Sequence, residues 1–449
     1  MSIYKQHRIY TNPILTEKII NLEEKYPKKD YVDKYRNSVN FSQNNDVPFH
    51  QWFRYREGFS GALIKDLIKS SKLESKDAII IDPFSGSGTT PVVAAQEGYY
   101  GIGVDVNPVS VFISNVKLKE YDKNKIKKIY DELRKFSTTE NEYKKSLHYE
   151  DIKKYFNENN FYRLLEIKQY IDQIKEKDTH DFFLCAFLSI LEASSDRRRD
   201  GNGLKKAYSK ISNIKEEFTN KVYQMLSDIE VERNSKLLGE VYYGSALELY
   251  SIYRKNGHFQ DNNEVSIIFS PPYANSFDYF ESYKLELVFG DFAESIKDIK
   301  KFRSKAVRSF VGVSVQDPFE NIIDMLCEEI EKAILRKEAE TGKKDSRTRR
   351  VPNMIRGYFY DMKKVIEECN KCLQVGNKTY IVVDQSSYIG IIVPTDILFA
   401  MFAEQAGFEV TNVIKCRNAR TSSQQSKKFP YLKEGLRESI IELTKLRDV

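Results

Sequence analysis

The chain has 449 residues, 41% hydrophobic and 30% charged, with a formal net charge of +6. This length allows two or three domains or one elaborated core. No run of eighteen apolar residues offers a membrane span, and the start Met-Ser-Ile-Tyr-Lys-Gln-His-Arg lacks the apolar stretch of a secretory signal. A soluble, cytoplasmic protein with no membrane partner is expected, and so mild a charge does not by itself establish nucleic-acid binding.

Residues 1–75 lead into the core. Pro48–Ser60 is dense in aromatics, holds the only Trp, and ends at Ser60, a residue suited to cap a helix. Ala62, Leu63, Leu67 and Ile68 then recur at helical spacing. A strand at 79–82, a glycine turn, a helix at 89–97 and a strand at 100–105 form a βαβ unit. From about 110 to 240 long charged segments carry helical periodicity (Lys123–Lys135, Phe161–Lys175), with a more apolar helix at Asp181–Ser194. This stretch reads as a helical insertion. Strands return at Gly239–Tyr243 and Val265–Phe269. Residues 291–357 read as a polar, basic, irregular insertion with one helix at Phe319–Glu340. A helix at 361–374, strand Thr379–Asp384, helix Thr395–Ala406, strand Glu409–Cys416 and strand Glu438–Thr444 complete the chain. Alternating strands and helices imply an α/β fold with a doubly wound, mostly parallel sheet.

The five cysteines (Cys185, Cys327, Cys369, Cys372, Cys416) are an odd number without a disulfide pattern. Cys369 and Cys372 lack the further ligands of a zinc site and are expected on one helix face, with no metal. Two basic stretches stand out. One, a glycine-containing loop at 196–206, carries Arg197, Arg198, Arg199 and Lys205; the other carries Lys343, Lys344, Arg347, Arg349, Arg350 and Arg356. Such stretches contact phosphates or form ordinary solvated surface, and the sequence leaves both open.

Two segments carry chemistry. In Asp82-Pro83-Phe84-Ser85-Gly86-Ser87-Gly88-Thr89-Thr90 a buried strand runs into a glycine turn that opens a helix. The glycines permit left-handed backbone, and the helix aims its first amides at the turn. Asp105 ends the next strand, about twenty residues on, where a carboxylate can accept from both hydroxyls of a ribose. A dinucleotide turn needs a third glycine where Pro91 stands, and a phosphate-binding loop needs a lysine that is absent. The second segment, Ser270-Pro271-Pro272-Tyr273, follows strand Val265–Phe269, so it sits at a carboxyl end, where open α/β sheets bind ligands. It offers a hydroxyl, exposed carbonyls, an aromatic ring and a loop stiffened by two prolines.

Together these segments resemble the amino-methyltransferases of DNA, which methylate exocyclic nitrogens with S-adenosylmethionine. Residues 82–90 are similar to that family's motif I. Gly103–Pro108, with Asp105 and Val106, is similar to motif II, and Gly244-Ser245-Ala246 to motif III. The Phe49–Ser60 stretch, with Tyr55, Phe59 and Ser60, resembles the motif that closes over the methionine end of the cofactor. Asn418–Gln425 resembles a region near the target base, and Arg437–Ile440 the family's C-terminus. The likeness spans roughly 48–110 and 240–445. It implies a core of 48–110 and 240–449, an N-terminal extension (1–47), and insertions at 111–239 and 291–357 for DNA contact and target recognition.

The resemblance further implies a Rossmann-like methyltransferase fold, S-adenosylmethionine as cofactor and double-stranded DNA as partner. A bacterial restriction–modification or phage-defence setting, with a cognate endonuclease, accompanies it. Ser270 and the Pro271 carbonyl would accept from the target amine, Pro272 would add no competing donor, and Tyr273 would stack on a flipped base. The Ser form is similar to enzymes making N4-methylcytosine, with N6-adenine as the runner-up. C5 methylation would need a Pro-Cys pair, which is absent. An RNA amino-methyltransferase and a non-catalytic DNA-binding relative are the remaining alternatives. All of this requires the two distant loops to share one cleft.

Overall fold

The computed structural model describes residues 2–55, 58–75, 77–135, 149–200, 203–232, 238–257, 263–275, 278–312, 321–419 and 423–448. Eight strands form the central sheet: β1 (Lys28–Asp30), β2 (Ile79–Asp82), β3 (Tyr100–Asp105), β4 (Gly239–Tyr243), β5 (Val265–Phe269), β6 (Lys378–Asp384), β7 (Phe408–Asn418) and β8 (Arg437–Lys445). Their spatial order is β1-β7-β8-β6-β5-β2-β3-β4. β4, β3, β2, β5 and β6 run parallel to one another, and β8 runs antiparallel between β6 and β7. The fold is α/β, with a large, mostly parallel, doubly wound sheet. From β2 the chain builds outward through β3 and β4, then returns to β5 on the other side of β2. The reversal between β2 and β5 is the topological switch point, where such sheets open a crevice at their carboxyl ends.

The strands are apolar on both faces because both are covered. Ile79 and Ile81 pack into one core while Ile80 packs into another. Ile267 and Phe269 likewise oppose Ile268. Continuous apolar runs of this kind are the mark of a sheet sandwiched by helices. Helices Asn321–Thr341, Val351–Lys371 and Thr395–Gln405 cover one face, and Gly61–Ser71 covers the other. A separate core gathers Phe49, Trp52 and Phe53 with helices Glu158–Asp172, Lys177–Ser194 and Ile214–Glu232. The helical insertion therefore shares its interior with the aromatic stretch before Ser60.

Two expectations need correction. Residues 291–357 are not irregular throughout: the helix expected at 361–374 begins ten residues earlier, at Val351, and ends at Lys371. Val351, Met354, Ile355, Tyr358, Phe359 and Met362 are all buried, a stripe at i, i+3, i+4, i+7, i+8 and i+11 that the flanking basic residues obscure. The basic stretch at 196–206 is a hairpin, Arg197–Asp200 paired with Gly203–Lys206, and not a loop. Cys369 and Cys372 are buried in the core against the sheet, and all five cysteines are free thiols. Among the described residues no helix is long and apolar enough to cross a membrane.

Candidate active site

Gly86 and Gly88 have φ of +53° and +80°. A Cβ on Gly86 would meet the Tyr55 ring at 2.8 Å, and one on Gly88 the Ser114 hydroxyl at 2.7 Å. Only glycine satisfies both the torsion and the packing here. Buried donors turn the loop's carbonyls inward: Ser114 Oγ donates to Gly86 O at 3.1 Å and Lys117 Nζ to Ser87 O at 2.7 Å. Burial drives the Lys117 ammonium down to about 7. Asp82 is wholly structural in its contacts, accepting from Thr90 Oγ1 at 2.7 Å and Phe84 N at 2.9 Å, and burial pushes it up to about 7. Asp82, Ser85, Gly86, Ser87, Gly88, Thr89 and Thr90 thus form the braced floor of the turn.

Asp105 stands at the end of β3. Its Oδ2 accepts from Gly86 N at 2.8 Å and its Oδ1 from Asn107 N at 2.7 Å. Burial raises its carboxyl to about 6, opposed by those two backbone donors. A carboxylate has about four acceptor sites, so capacity remains on each oxygen. Asn107 also faces the cleft, and its Nδ2 is a buried donor with no partner among the described residues.

The cleft lies at the carboxyl ends of β2, β3 and β5. Tyr55, Pro83, Phe84, Asp105, Val106, Ser245 and Ala246 line one part of it, and Ser270 and Pro272 another. The two halves therefore meet in one space. Thr90 Oγ1, 3.5 Å from Ile268 O, and the Phe84 and Phe269 rings, 5.7 Å apart, tie turn and strand together. The Ser245 hydroxyl donates to Lys305 O at 2.8 Å, fixing the wall above it. Tyr55 stacks on Tyr283 (centroids 5.2 Å apart, 9° between planes), which closes the glycine side.

Several expected site residues lie elsewhere. Phe59 packs in the core on the Gly61–Ser71 side of the sheet, and Ser60 accepts from Leu63 N at 3.2 Å as that helix's cap. Neither reaches the cleft, because Asn44 pins the Phe59 carbonyl and the Gly61 amide at 2.9 Å each. The Pro271 side chain is buried within its loop. Tyr273 packs its ring against the sheet's main core and sends its hydroxyl to Glu438 at 3.1 Å. Within the Asn418–Gln425 segment, residues 420–422 lie outside the described residues.

The basic residues divide sharply. Arg199, expected at a phosphate, is buried: its guanidinium contacts Glu192 at 2.8 Å, pairs with Glu286 and lies 4.2 Å from the Tyr283 ring centroid. Arg197 and Arg198 are half-buried and donate to backbone carbonyls, while Lys205 is exposed. Arg347 and Arg350 are exposed, Arg349 forks onto Glu338, and Arg356 is held by Asp324 at 3.0 Å. The sequence reading missed the roof of the cleft, formed by Asp278, Tyr279, Phe280, Ala306, Val307, Ser309 and Phe310. Arg303 reaches Asp278 at 2.7 Å, and Arg308 grips Asp361 of helix 351–371 through two nitrogens. No local periodicity announces these residues, and only Asp278, Tyr279 and Phe280 lie close in sequence to Tyr273.

The family pattern described as DNA methylase matches residues 3–116, and that of D12 class N6 adenine-specific DNA methyltransferase matches 62–239. Type II methyltransferase M.BsoBI of Geobacillus stearothermophilus is 28% identical, covering 90% of this chain and 87% of that protein. These matches support a place for the chain among the DNA amino-methyltransferases. Two further relatives are similarly co-extensive. Type II methyltransferase M.AvaI of Anabaena variabilis is 27% identical over 87% of this chain and 85% of its own. Type II methyltransferase M.MvaI of Kocuria varians is 23% identical over 86% and 87%.

Proposed function

We propose that this DNA amino-methyltransferase transfers a methyl group from S-adenosylmethionine to the exocyclic N4 of a cytosine flipped out of duplex DNA. The setting would be a restriction–modification or defence system. The observation that carries the reading is the single cleft lined both by Asp105 and Phe84 and by Ser270 and Pro272. Asp105's spare acceptor capacity suits two ribose hydroxyls, and the unpartnered Asn107 Nδ2 suits a further acceptor of the same ligand. S-adenosylmethionine supplies an activated methyl, so the protein's work is orientation. An exocyclic amine shares its lone pair with its ring. Acceptors at Ser270 Oγ and Pro271 O would hold its hydrogens and favour a geometry in which that pair is available. Pro272 carries no N–H to compete for the base. With the Tyr273 ring packed against the core, Pro272 and the lining rings of Tyr279 and Phe310 are better placed to flank a flipped base.

Duplex DNA as substrate is supported by the co-extensive relatives named as Type II methyltransferases. A second reading, adenine N6, is favoured by the adenine-specific pattern over residues 62–239. That match ends before Ser270, so it speaks for the cofactor half and less for the base. Expression in methylation-free cells, followed by sequencing for modified bases, tests both readings. N4-methylcytosine at one recurring sequence is expected, and N6-methyladenine would select the second reading. Unmodified DNA, with methyl groups in RNA or nowhere, would overturn both. Ser270→Ala should leave S-adenosylmethionine binding intact and lower transfer roughly 10²-fold.

A further inference from the structure

Ser270 has one hydrogen and two lone pairs, and only the lone pairs are useful toward an amine that presents N–H groups. Which way the hydroxyl points therefore decides whether it helps or repels. Its neighbours determine that direction. Ser270 Oγ lies 3.3 Å from the Tyr273 hydroxyl, and the Tyr273 hydroxyl lies 3.1 Å from Glu438 Oε1. Glu438 is 1% exposed at the start of β8, and Arg417 of β7, its register partner, donates to Oε2. Facing a guanidinium on one oxygen, this carboxylate acts as an acceptor only. Tyr273 must then donate to Glu438, its oxygen is left to accept, and Ser270 donates to it. Both lone pairs of Ser270 remain for the cleft.

We infer that Glu438 is a positioning residue that sets the hydrogen-bond direction of the Tyr273–Ser270 pair, fixing Ser270 as an acceptor toward the target amine. This rests on the proposed amine-methylating function and deepens it. The register of β8 explains the placement. Glu438 pairs with Arg417 on one side and Asp384 on the other, at the carboxyl end of β6. It thus stands on the rim beside the loop that follows β5. Tyr388 adds a brace, donating to Ala274 O at 2.8 Å. Tyr273 is then a link between Ser270 and the buried ion pair.

Glu438→Gln tests the direction. Arg417 would take the amide oxygen, the amide NH2 would face Tyr273, and the chain would reverse, leaving the Ser270 hydrogen aimed at the amine. At the target site read from the modified DNA, kcat should fall at least about tenfold while S-adenosylmethionine affinity by calorimetry stays within about twofold. Glu438→Asp, still an acceptor, should recover most of the activity. Tyr273→Phe breaks the link, so Glu438→Gln added to Tyr273→Phe should cost nothing further.

A binding readout needs no turnover. With S-adenosylhomocysteine present, the wild type should bind the target duplex more tightly than one whose target base lacks the exocyclic amine. Glu438→Gln should lose that preference. Full activity of Glu438→Gln, or additive losses in the double variant, would overturn the inference while leaving the methyltransferase reading intact. Absence of DNA methylation by the wild type would overturn that reading instead. If Glu438→Gln unfolds, the duplex preference of Tyr273→Phe decides: retention of the full wild-type preference overturns the inference.

Discussion

Arg199→Met should be among the most damaging single changes to stability outside the glycine turn, although arginine in a basic hairpin reads as surface. Its side chain is 4% exposed and that of Glu286 is 1% exposed. Removing one member of a buried ion pair leaves the other charge uncompensated, a loss of about 3–5 kcal/mol. Arg199 Nε also donates to Ser282 O at 3.0 Å, and an orphaned buried carbonyl costs about 1–3 kcal/mol more where nothing else relaxes. These contributions overlap, and a total near 4 kcal/mol is expected. Burial already raises the Glu286 carboxyl against the pull of Arg199, so the variant would relieve part of the loss by protonating it. Urea titration measures the effect as a drop in midpoint at unchanged slope. Arg198→Ala, whose guanidinium donates to carbonyls 2.9 and 3.1 Å away at a half-buried site, should cost about 1 kcal/mol or less. The double change Arg199→Met with Glu286→Leu should regain most of the loss, because an apolar pair can replace a buried ionic one. Arg199→Met as stable as Arg198→Ala, or a double variant no better than the single, would refute the reasoning.

The glycine turn yields a pH prediction. The Asp105 and Asp82 carboxyls are raised from 3.8 to about 6 and about 7. Their contribution to the stability of the free protein is therefore complete below about pH 4 and lost as pH rises through 6 to 7. Ribose donors favour the ionised carboxylate, so S-adenosylmethionine affinity should weaken by up to about tenfold per pH unit below about 6. Asp105→Asn should flatten that profile in calorimetry, and an unchanged slope would count against the assignment. Gly88→Ala combines a φ of +80° with a Cβ 2.7 Å from Ser114 Oγ. It should cost more than about 1 kcal/mol and weaken cofactor binding. Helix 351–371 feeds β6 from the carboxyl rim of the sheet, which puts the exposed Arg347 and Arg350 on the side of the cleft. Replacing both by Ala should weaken duplex binding and reduce the slope of log affinity against log salt by about 1 per lost phosphate contact. No change in slope would remove this segment from the DNA surface.

The strand-turn-helix at 79–96, the strand before Ser270 and the switch-point geometry were legible in the sequence because each signal is local. An apolar run, a turn chemistry and a helical stripe lie within a dozen residues of one another. Ser60's role as a cap was legible for the same reason. What a charge or a ring faces is a different matter. Arg199 meets Glu286 across 87 residues, and Tyr273 meets Glu438 across 165. Nothing in the periodicity of either segment carries that pairing. The sequence alone determined the strand, glycine turn and helix at 79–96 and the strand that leads into Ser270. Only the tertiary structure decided that residues 278–310 roof the cleft, that Arg199 is core, and that the Tyr273 hydroxyl turns to an ion pair. Long-range packing selects among partners that local propensity leaves equivalent.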